Sequence, residues 1–185
     1  MMGIAVIFGG TRPNGNTELL TKRILRNLEI DWIDLNEYRI LPIQDQRHAP
    51  EGFQELGDDY SSIMRRVMQH DILIFSTPIY WYSMSGLMKN FIDRWSQTLR
   101  EPEYKDFKNS MSKKKAFVIA VGGDSPHLKG LPLIQQFHYI FDFVQLPFSD
   151  YIIGNANKPG DIFNDEQALF AADRLNESLK IMTEE

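Results

Sequence analysis

The sequence has no cysteine. Disulfides, thiolate nucleophiles, cysteine-ligated zinc and iron–sulfur clusters are therefore excluded, and any redox chemistry must come from a bound organic cofactor or a metal held without thiolates. Long hydrophobic runs are missing too. The apolar stretch Ile4 to Phe8 near the start is too short for a membrane span or the core of a secretion signal, and no basic flank precedes it. No membrane partner is expected, and a cytoplasmic location is the default. Charge of one sign is scarcely in excess: 20 basic against 25 acidic side chains leave a net charge of −5, which argues against a non-specific nucleic-acid binder. His48, His70, His127 and His138 are widely separated with no two-ligand spacing, so no metal site is expected. No repeat, low-complexity tract or Pro/Gly-rich linker divides the chain. Its 185 residues, 43% hydrophobic and 24% charged, read as one globular domain spanning 1–185.

What is present is alternation. Five short β-rich runs, Ile4–Phe8, Asp31–Leu35, Ile72–Thr77, Ala116–Val121 and Tyr151–Ile153, are separated by segments of helical period. The first, third and fourth runs are almost wholly apolar, as parallel strands covered on both faces require. Tyr60, Ile63, Met64, Val67 and Met68 form one apolar helical face. Met84, Leu87, Met88, Phe91, Ile92, Trp95 and Leu99 continue such a stripe for about four turns. Leu131, Ile134, Phe137, His138 and Phe141 mark a third helix. A last one runs from Ala168 to Met182, with Asn164 and Gln167 as its expected capping box. The pattern predicts a doubly wound α/β fold with helices on both faces of a parallel sheet. The polar stretch from Glu37 to Asp58 is a long connection, of the sort that carries function or mobility.

In such sheets ligands bind beyond the carboxyl ends of the strands, where strand order reverses. After the first run comes Gly9-Gly10-Thr11-Arg12-Pro13-Asn14-Gly15-Asn16-Thr17, then a helix. Glycines let backbone N–H groups converge on an anion, while Thr11, Thr17, Asn16 and Arg12 add donors and the helix N-terminus adds partial positive charge. The loop is neither a Walker P-loop nor the G-x-G-x-x-G dinucleotide fingerprint. After the third run comes Pro78-Ile79-Tyr80-Trp81-Tyr82-Ser83, then Ser85-Gly86 and a helix carrying Lys89, Asp93 and Arg94. Pro78 fixes the turn and three aromatics offer flat surfaces to a ring. Lys89 and Asp93, at i and i+4, suit an ion pair rather than catalysis. Gly122-Gly123-Asp124 follows the fourth run.

The first loop resembles the phosphate loop of the NADPH-dependent FMN reductase and iron–sulfur flavoprotein branch of the flavodoxin-like superfamily, roughly Gly-Ser-x-Arg-x-x-Gly-Asn-Thr, with Gly10 in place of the serine. The third-run loop is similar to that branch's flavin loop, Pro-x-Tyr-Trp/Phe-x-x-x-Ser-Gly-x-x-Lys-x-Phe-x-Asp-Arg. It is the longest match. The resemblance implies a five-stranded parallel sheet of order 2-1-3-4-5 and a noncovalent FMN. Gly10, Thr11, Arg12, Asn14, Asn16 and Thr17 would lie at its phosphate. Pro78, Ile79, Tyr80, Trp81, Tyr82, Ser83, Gly122, Gly123 and Asp124 would lie around its ring. It departs from the iron–sulfur branch in lacking the cluster cysteines.

The same resemblance implies that NAD(P)H donates a hydride and that a small-molecule acceptor, such as a quinone, a nitro or azo aromatic or free flavin, removes it. No catalytic side chain is demanded, since the cofactor carries the hydride chemistry. It also implies a homodimer whose second subunit helps wall the flavin site. The apolar stripe from Met84 to Trp95, with Tyr80, Trp81 and Tyr82, offers more apolar surface than one side of a sheet readily covers. A flavodoxin-type electron carrier and a non-catalytic flavin-binding interaction protein are the competing readings.

Overall fold

The computed structural model describes residues 2–184. Five strands, β1 (Ile4–Phe8), β2 (Asp31–Asp34), β3 (Ile72–Pro78), β4 (Lys115–Gly122) and β5 (Phe148–Asn155), form one sheet of order β2-β1-β3-β4-β5, every neighbouring pair parallel. Helices α1 (Asn16–Ile24), α2 (Tyr60–Met68), α3 (Gly86–Asp93), α4 (Trp95–Thr98), α5 (Phe107–Met111), α6 (Pro126–Lys129), α7 (Leu131–Val144) and α8 (Glu166–Glu184) connect and follow the strands.

The period of two in the central strands divides the core. Ala5, Ile7, Leu73, Phe75, Val118 and Ala120 pack toward α2, α3 and α7. Ile4, Val6, Ile74, Phe117, Ile119 and Val121 pack toward α1 and α8. Because each central strand is apolar on both faces, neither layer of helices can leave without exposing a strand to water. The strand order reverses on either side of β1, so the carboxyl ends of β1 and β3 mark the switch point.

Several boundaries differ from the sequence reading, each for a local reason. β5 runs three residues earlier and two later than the apolar triplet Tyr151–Ile153. Its first half, including exposed Ser149, Asp150 and Tyr151, is an edge held by backbone pairing to β4 rather than by burial. The cap of α8 is Asp165, whose Oδ1 accepts the Ala168 N–H at 3.0 Å; Asn164 instead closes a short 3₁₀ turn, Asp161–Asn164. The long stripe from Met84 to Leu99 is not one helix but breaks at Arg94 between α3 and α4. Its apolar groups are core: Met84, Met88, Phe91, Ile92 and Trp95 are all buried, so this helix leaves no uncovered apolar face. Lys89 and Asp93 pair at 2.5 Å, as their spacing suggests.

A buried ion pair sits at the break. The Arg94 guanidinium lies inside the protein, 4.5 Å from the Tyr60 ring centre, and pairs with Asp58 at 2.5 Å; both side chains are almost fully excluded from water. Arg94 also donates from Nε to Gln97 Oε1 at 2.9 Å and from Nη1 to the Leu41 carbonyl at 3.0 Å. Asp58 Oδ2 accepts the Leu41 N–H at 2.8 Å. The ion pair thus joins the two ends of the long connection, and residues 42–57 emerge from it as a loop pinched at its neck. Burial pushes the Asp58 carboxyl up, but the bonds from Arg94 and from the N–H groups of Leu41 and Tyr60 outweigh it and hold the group below its usual value.

Candidate cofactor site

The carboxyl ends of β1, β3 and β4 enclose a cleft of about 260 Å³. The loop after β1 forms one wall. Its Gly9 N–H donates to the Ser76 carbonyl at 2.8 Å, and a side chain at residue 9 would stand 2.8 Å from Ser85 Oγ, so the loop leaves the sheet pressed against the start of α3. A turn closes where Gly15 N–H donates to the Arg12 carbonyl at 3.1 Å, with Asn14 left-handed at φ +53°. Leu19 N–H reaches back to Gly15 at 2.9 Å, so the N–H groups of Asn16, Thr17 and Glu18 precede the first turn's bonds and remain available at the positive end of α1. Glu18 would repel an anion there, but both its oxygens are engaged, by Asn14 N–H at 2.7 Å and by Lys22 Nζ at 2.5 Å. Arg12 is exposed and forms no ion pair among the described residues.

The loop after β3 is a two-residue hairpin. Tyr80 and Ser83 exchange both backbone hydrogen bonds, at 2.9 and 3.0 Å, around Trp81 at φ +49° and Tyr82 at φ +64°. A turn of this kind wants Asn-Gly; two aromatic residues in the left-handed region are strained. The tip is nonetheless pinned. Tyr82 Oη donates to Asp124 Oδ2 at 2.9 Å, Lys129 Nζ donates to both Asp124 oxygens at 2.8 and 2.7 Å, and Ser83 Oγ donates to Gln136 Oε1 at 2.8 Å. The bonds from Lys129 and then Tyr82 hold the Asp124 carboxyl below its usual value. Trp81 points into solvent, 94% exposed, with Tyr80 and Tyr82 about half exposed beside it.

Of the residues singled out in the sequence, Gly10, Thr11, Arg12, Asn16, Thr17, Pro78, Ile79, Tyr80, Gly122 and Gly123 line the cleft. Trp81, Tyr82 and Asp124 line an adjoining shelf of about 150 Å³ that shares Ile79, Gly122 and Gly123 with it. Asn14 and Ser83 border neither; they shape the turns. A Cβ on Gly122 would stand 3.1 Å from that of Ile79, which shows how closely the second and third loops approach. Asn16 departs from its expected part: its side chain is directed at the turn after β5 rather than presented as a free donor. That turn, with Ala156 and Asn157, supplies a wall that loop-by-loop reading missed, as does Lys129 on the shelf. The position of Asn157 beyond the fifth strand was the available signal.

The parallel sheet with its anion-ready loop at the switch point and an aromatic shelf beside it defines a flavodoxin-like mononucleotide-binding domain. The model of the NADPH-dependent FMN reductase family matches residues 2–158. A Bacillus subtilis protein, provisionally named an NAD(P)H-dependent FMN-containing oxidoreductase, is 57% identical over 174 residues, covering 94% of this chain and 96% of its own length. A solved structure described as the Trp repressor binding protein from Bacillus subtilis is 53% identical, with a TM-score of 0.79 over 93% of this chain and 99% of that one. An iron–sulfur flavoprotein of Methanocaldococcus jannaschii is 27% identical over 196 residues, 96% of this chain and 95% of its own. The chain belongs to the NADPH-dependent FMN reductase family, an FMN-dependent class of NAD(P)H oxidoreductases.

Proposed function

We propose that this protein passes reducing equivalents from NAD(P)H, through FMN, to a small aromatic acceptor of the quinone, nitro- or azo-aromatic or flavin type. The observation that supports this is the pairing of a polar cleft with an adjoining shelf flanked by exposed aromatic side chains, both beyond the carboxyl ends of the central strands. The cleft suits a phosphate and its chain: the N–H groups of Asn16, Thr17 and Glu18, the hydroxyls of Thr11 and Thr17, and Arg12 offer donors, while Gly10 and Asn14 let the backbone curve around it. The shelf between Ile79–Tyr82 and Gly122–Asp124 suits a flat ring, with Pro78 and Ser83 fixing the ends of the hairpin. FMN, when bound, supplies the hydride-accepting ring. The chain's own residues then bind and orient it, leave one side open to a flat partner, and need move no proton themselves.

The carrier reading differs in having no use for an open shelf. Steady-state oxidation of NADH and NADPH by FMN-loaded protein, with a quinone and a nitroaromatic offered in turn, separates the two. Turnover with either acceptor supports the reductase. FMN binding without turnover on any nicotinamide would favour the carrier or the non-catalytic binder. The working unit in this proposal is a cytoplasmic homodimer with the Tyr80–Ser83 hairpin close to its interface. Exposed Leu128, Leu131, Tyr139 and Phe143 on α6 and α7 add apolar surface on the same side of the sheet. Sedimentation at micromolar concentration tests it: a monomer that oxidises NAD(P)H at full rate would remove the second subunit from the mechanism.

A further inference from the structure

The turn joining β5 to α8 is built with unusual care for a surface loop. The Ala156 N–H donates to the Gly122 carbonyl at 2.8 Å, tying the turn to the third ligand loop. The Asp161 carboxylate accepts from the N–H groups of Asn157 and Lys158, at 3.3 and 2.7 Å, and closes the turn on itself. Gly160 takes φ +85°, a conformation that a side chain would strain. The base of the turn then rests on one side chain of the phosphate loop. Asn16, 8% exposed, donates from Nδ2 to the Lys158 carbonyl at 2.8 Å, and its Oδ1 accepts the N–H groups of Gly160 at 2.9 Å and Ile162 at 3.4 Å. An amide making three bonds to one turn has at most one N–H left for a ligand.

Asn157 stands at the opposite end of this strut. Its stem packs over Gly123, where a Cβ would come within 2.8 Å of the Asn157 Cβ, and it lines the cleft together with Thr11, Arg12 and Thr17. Its side-chain amide has no hydrogen-bond partner among the described residues. It also borders a second polar groove that runs past Asn155, His127 and Gln167. It is therefore a solvent-exposed amide, without a protein partner, at the junction between the phosphate loop and the glycine pair.

We infer that Asn157 contacts the bound flavin nucleotide at its ribityl-phosphate end, and that Asn16 is a positioning residue that holds Asn157 there rather than a ligand to the phosphate. The inference rests on the cofactor reading above. An amide, both donor and acceptor, fits the hydroxyls and phosphate oxygens of that part of the nucleotide and has nothing to offer the ring. Asn16 acts through the turn: without it, two N–H groups and one carbonyl lose their partners and the turn gains freedom.

The test is FMN titration by fluorescence quenching on the full chain, paired with amide hydrogen exchange of residues 156–162. Wild type is titrated first, and a wild type that does not bind FMN would remove the cofactor reading and this inference together. Given binding, N157A should weaken FMN about tenfold, the scale of one hydrogen bond to a ligand, with exchange in the turn unchanged. N16A should weaken FMN comparably and also speed exchange across the turn. A wild-type affinity in N157A overturns the contact while leaving the cofactor reading intact. An N16A protein that loses FMN with its turn still protected would place Asn16 on the ligand and overturn the positioning role.

Discussion

Replacing Trp81 by asparagine should make the protein more stable and a poorer reductase. The hairpin places Trp81 at φ +49° and Tyr82 at φ +64°, where an L side chain costs about 1–2 kcal/mol per residue relative to glycine-like freedom. Trp81 has little to set against that cost, because 94% of it is exposed and no hydrogen bond or ring contact holds its side chain among the described residues. Asparagine is tolerated in this region, so W81N should recover about 1 kcal/mol. For a chain of 185 residues that is a rise in melting temperature of about 2–4 °C. Y82G should not match it: the strain relieved is offset by losing the bond from Tyr82 Oη to Asp124 and the Lys129 ammonium 5.8 Å from the ring centre.

Thermal and urea unfolding of FMN-free protein at sub-micromolar concentration measures this with the least contribution from association. In parallel, kcat/KM for a quinone should fall in W81N by more than FMN affinity does, the signature of an exposed side chain that serves the acceptor more than the bound ring. A melting temperature equal to or below wild type would refute the reasoning. The turn would then be unstrained, or Trp81 would be covered by a second chain even at that dilution. A stabilised W81N with undiminished turnover would leave the strain without the function ascribed to it.

Two further outcomes follow from charges. Arg12→Ala should weaken FMN by about 1.5–3 kcal/mol, the scale of a hydrogen bond to a charged group, and leave riboflavin affinity unchanged; equal losses for both ligands would place Arg12 away from the phosphate. Asp58→Ala strands a buried guanidinium and should cost about 3–5 kcal/mol in urea unfolding at neutral pH, with the D58A/R94M pair less damaging than the sum of its singles. The folded Asp58 carboxyl sits below its unfolded value, so its contribution is complete above pH about 4 and is lost as pH falls through the lower, folded value. The acid limb of stability should accordingly be shallower in D58N; a limb of unchanged slope would show that other carboxylates carry it.

The fold was legible because its signal is collective. Ile4–Phe8 or Ile72–Thr77 needs only to be apolar on both faces, and many residues say so at once. The loops were legible for a different reason: glycines at residues 9, 10 and 15 and an aromatic run at 80–82 have few structural uses outside close approach and ring contact. What escaped depends on where a single side chain turns. Asn16 stands in a phosphate-loop motif, yet its amide faces a turn more than 140 residues away, and nothing local to residue 16 announces Lys158. The stripe from Met84 to Trp95 read as surplus apolar surface. Its covering came in part from Tyr104, Phe107 and Met111, on short segments with weak period of their own. Nothing near Arg94 in the sequence announced its burial, because burying arginine is rational only with Asp58 and the Tyr60 ring in place, both of them distant in sequence.

The missing loop serine shows how such distant pairs can be tested. Gly10 stands where the family pattern has serine, and a Cβ there would come within 2.3 Å of Phe8 Cζ and 2.8 Å of Phe8 Cε1. The Phe8 ring cannot simply yield, since it is buried and packed at a tilt against Trp32 with centroids 5.1 Å apart. Phenylalanine at the end of β1 and glycine two residues later are thus one decision: the ring fills the floor of the cleft, and the loop gives up a hydroxyl to admit it. G10S alone should therefore cost about 1–3 kcal/mol as an overpacked site. F8V alone should cost a comparable amount through the space it leaves under the loop. F8V/G10S should be less destabilised than the sum, by at least about 1 kcal/mol, because the serine occupies the space the ring vacates. The double variant should also bind FMN more tightly than F8V, having regained a donor at the phosphate loop. If the two substitutions add within about 0.5 kcal/mol, residues 8 and 10 are independent, and the glycine needs another explanation.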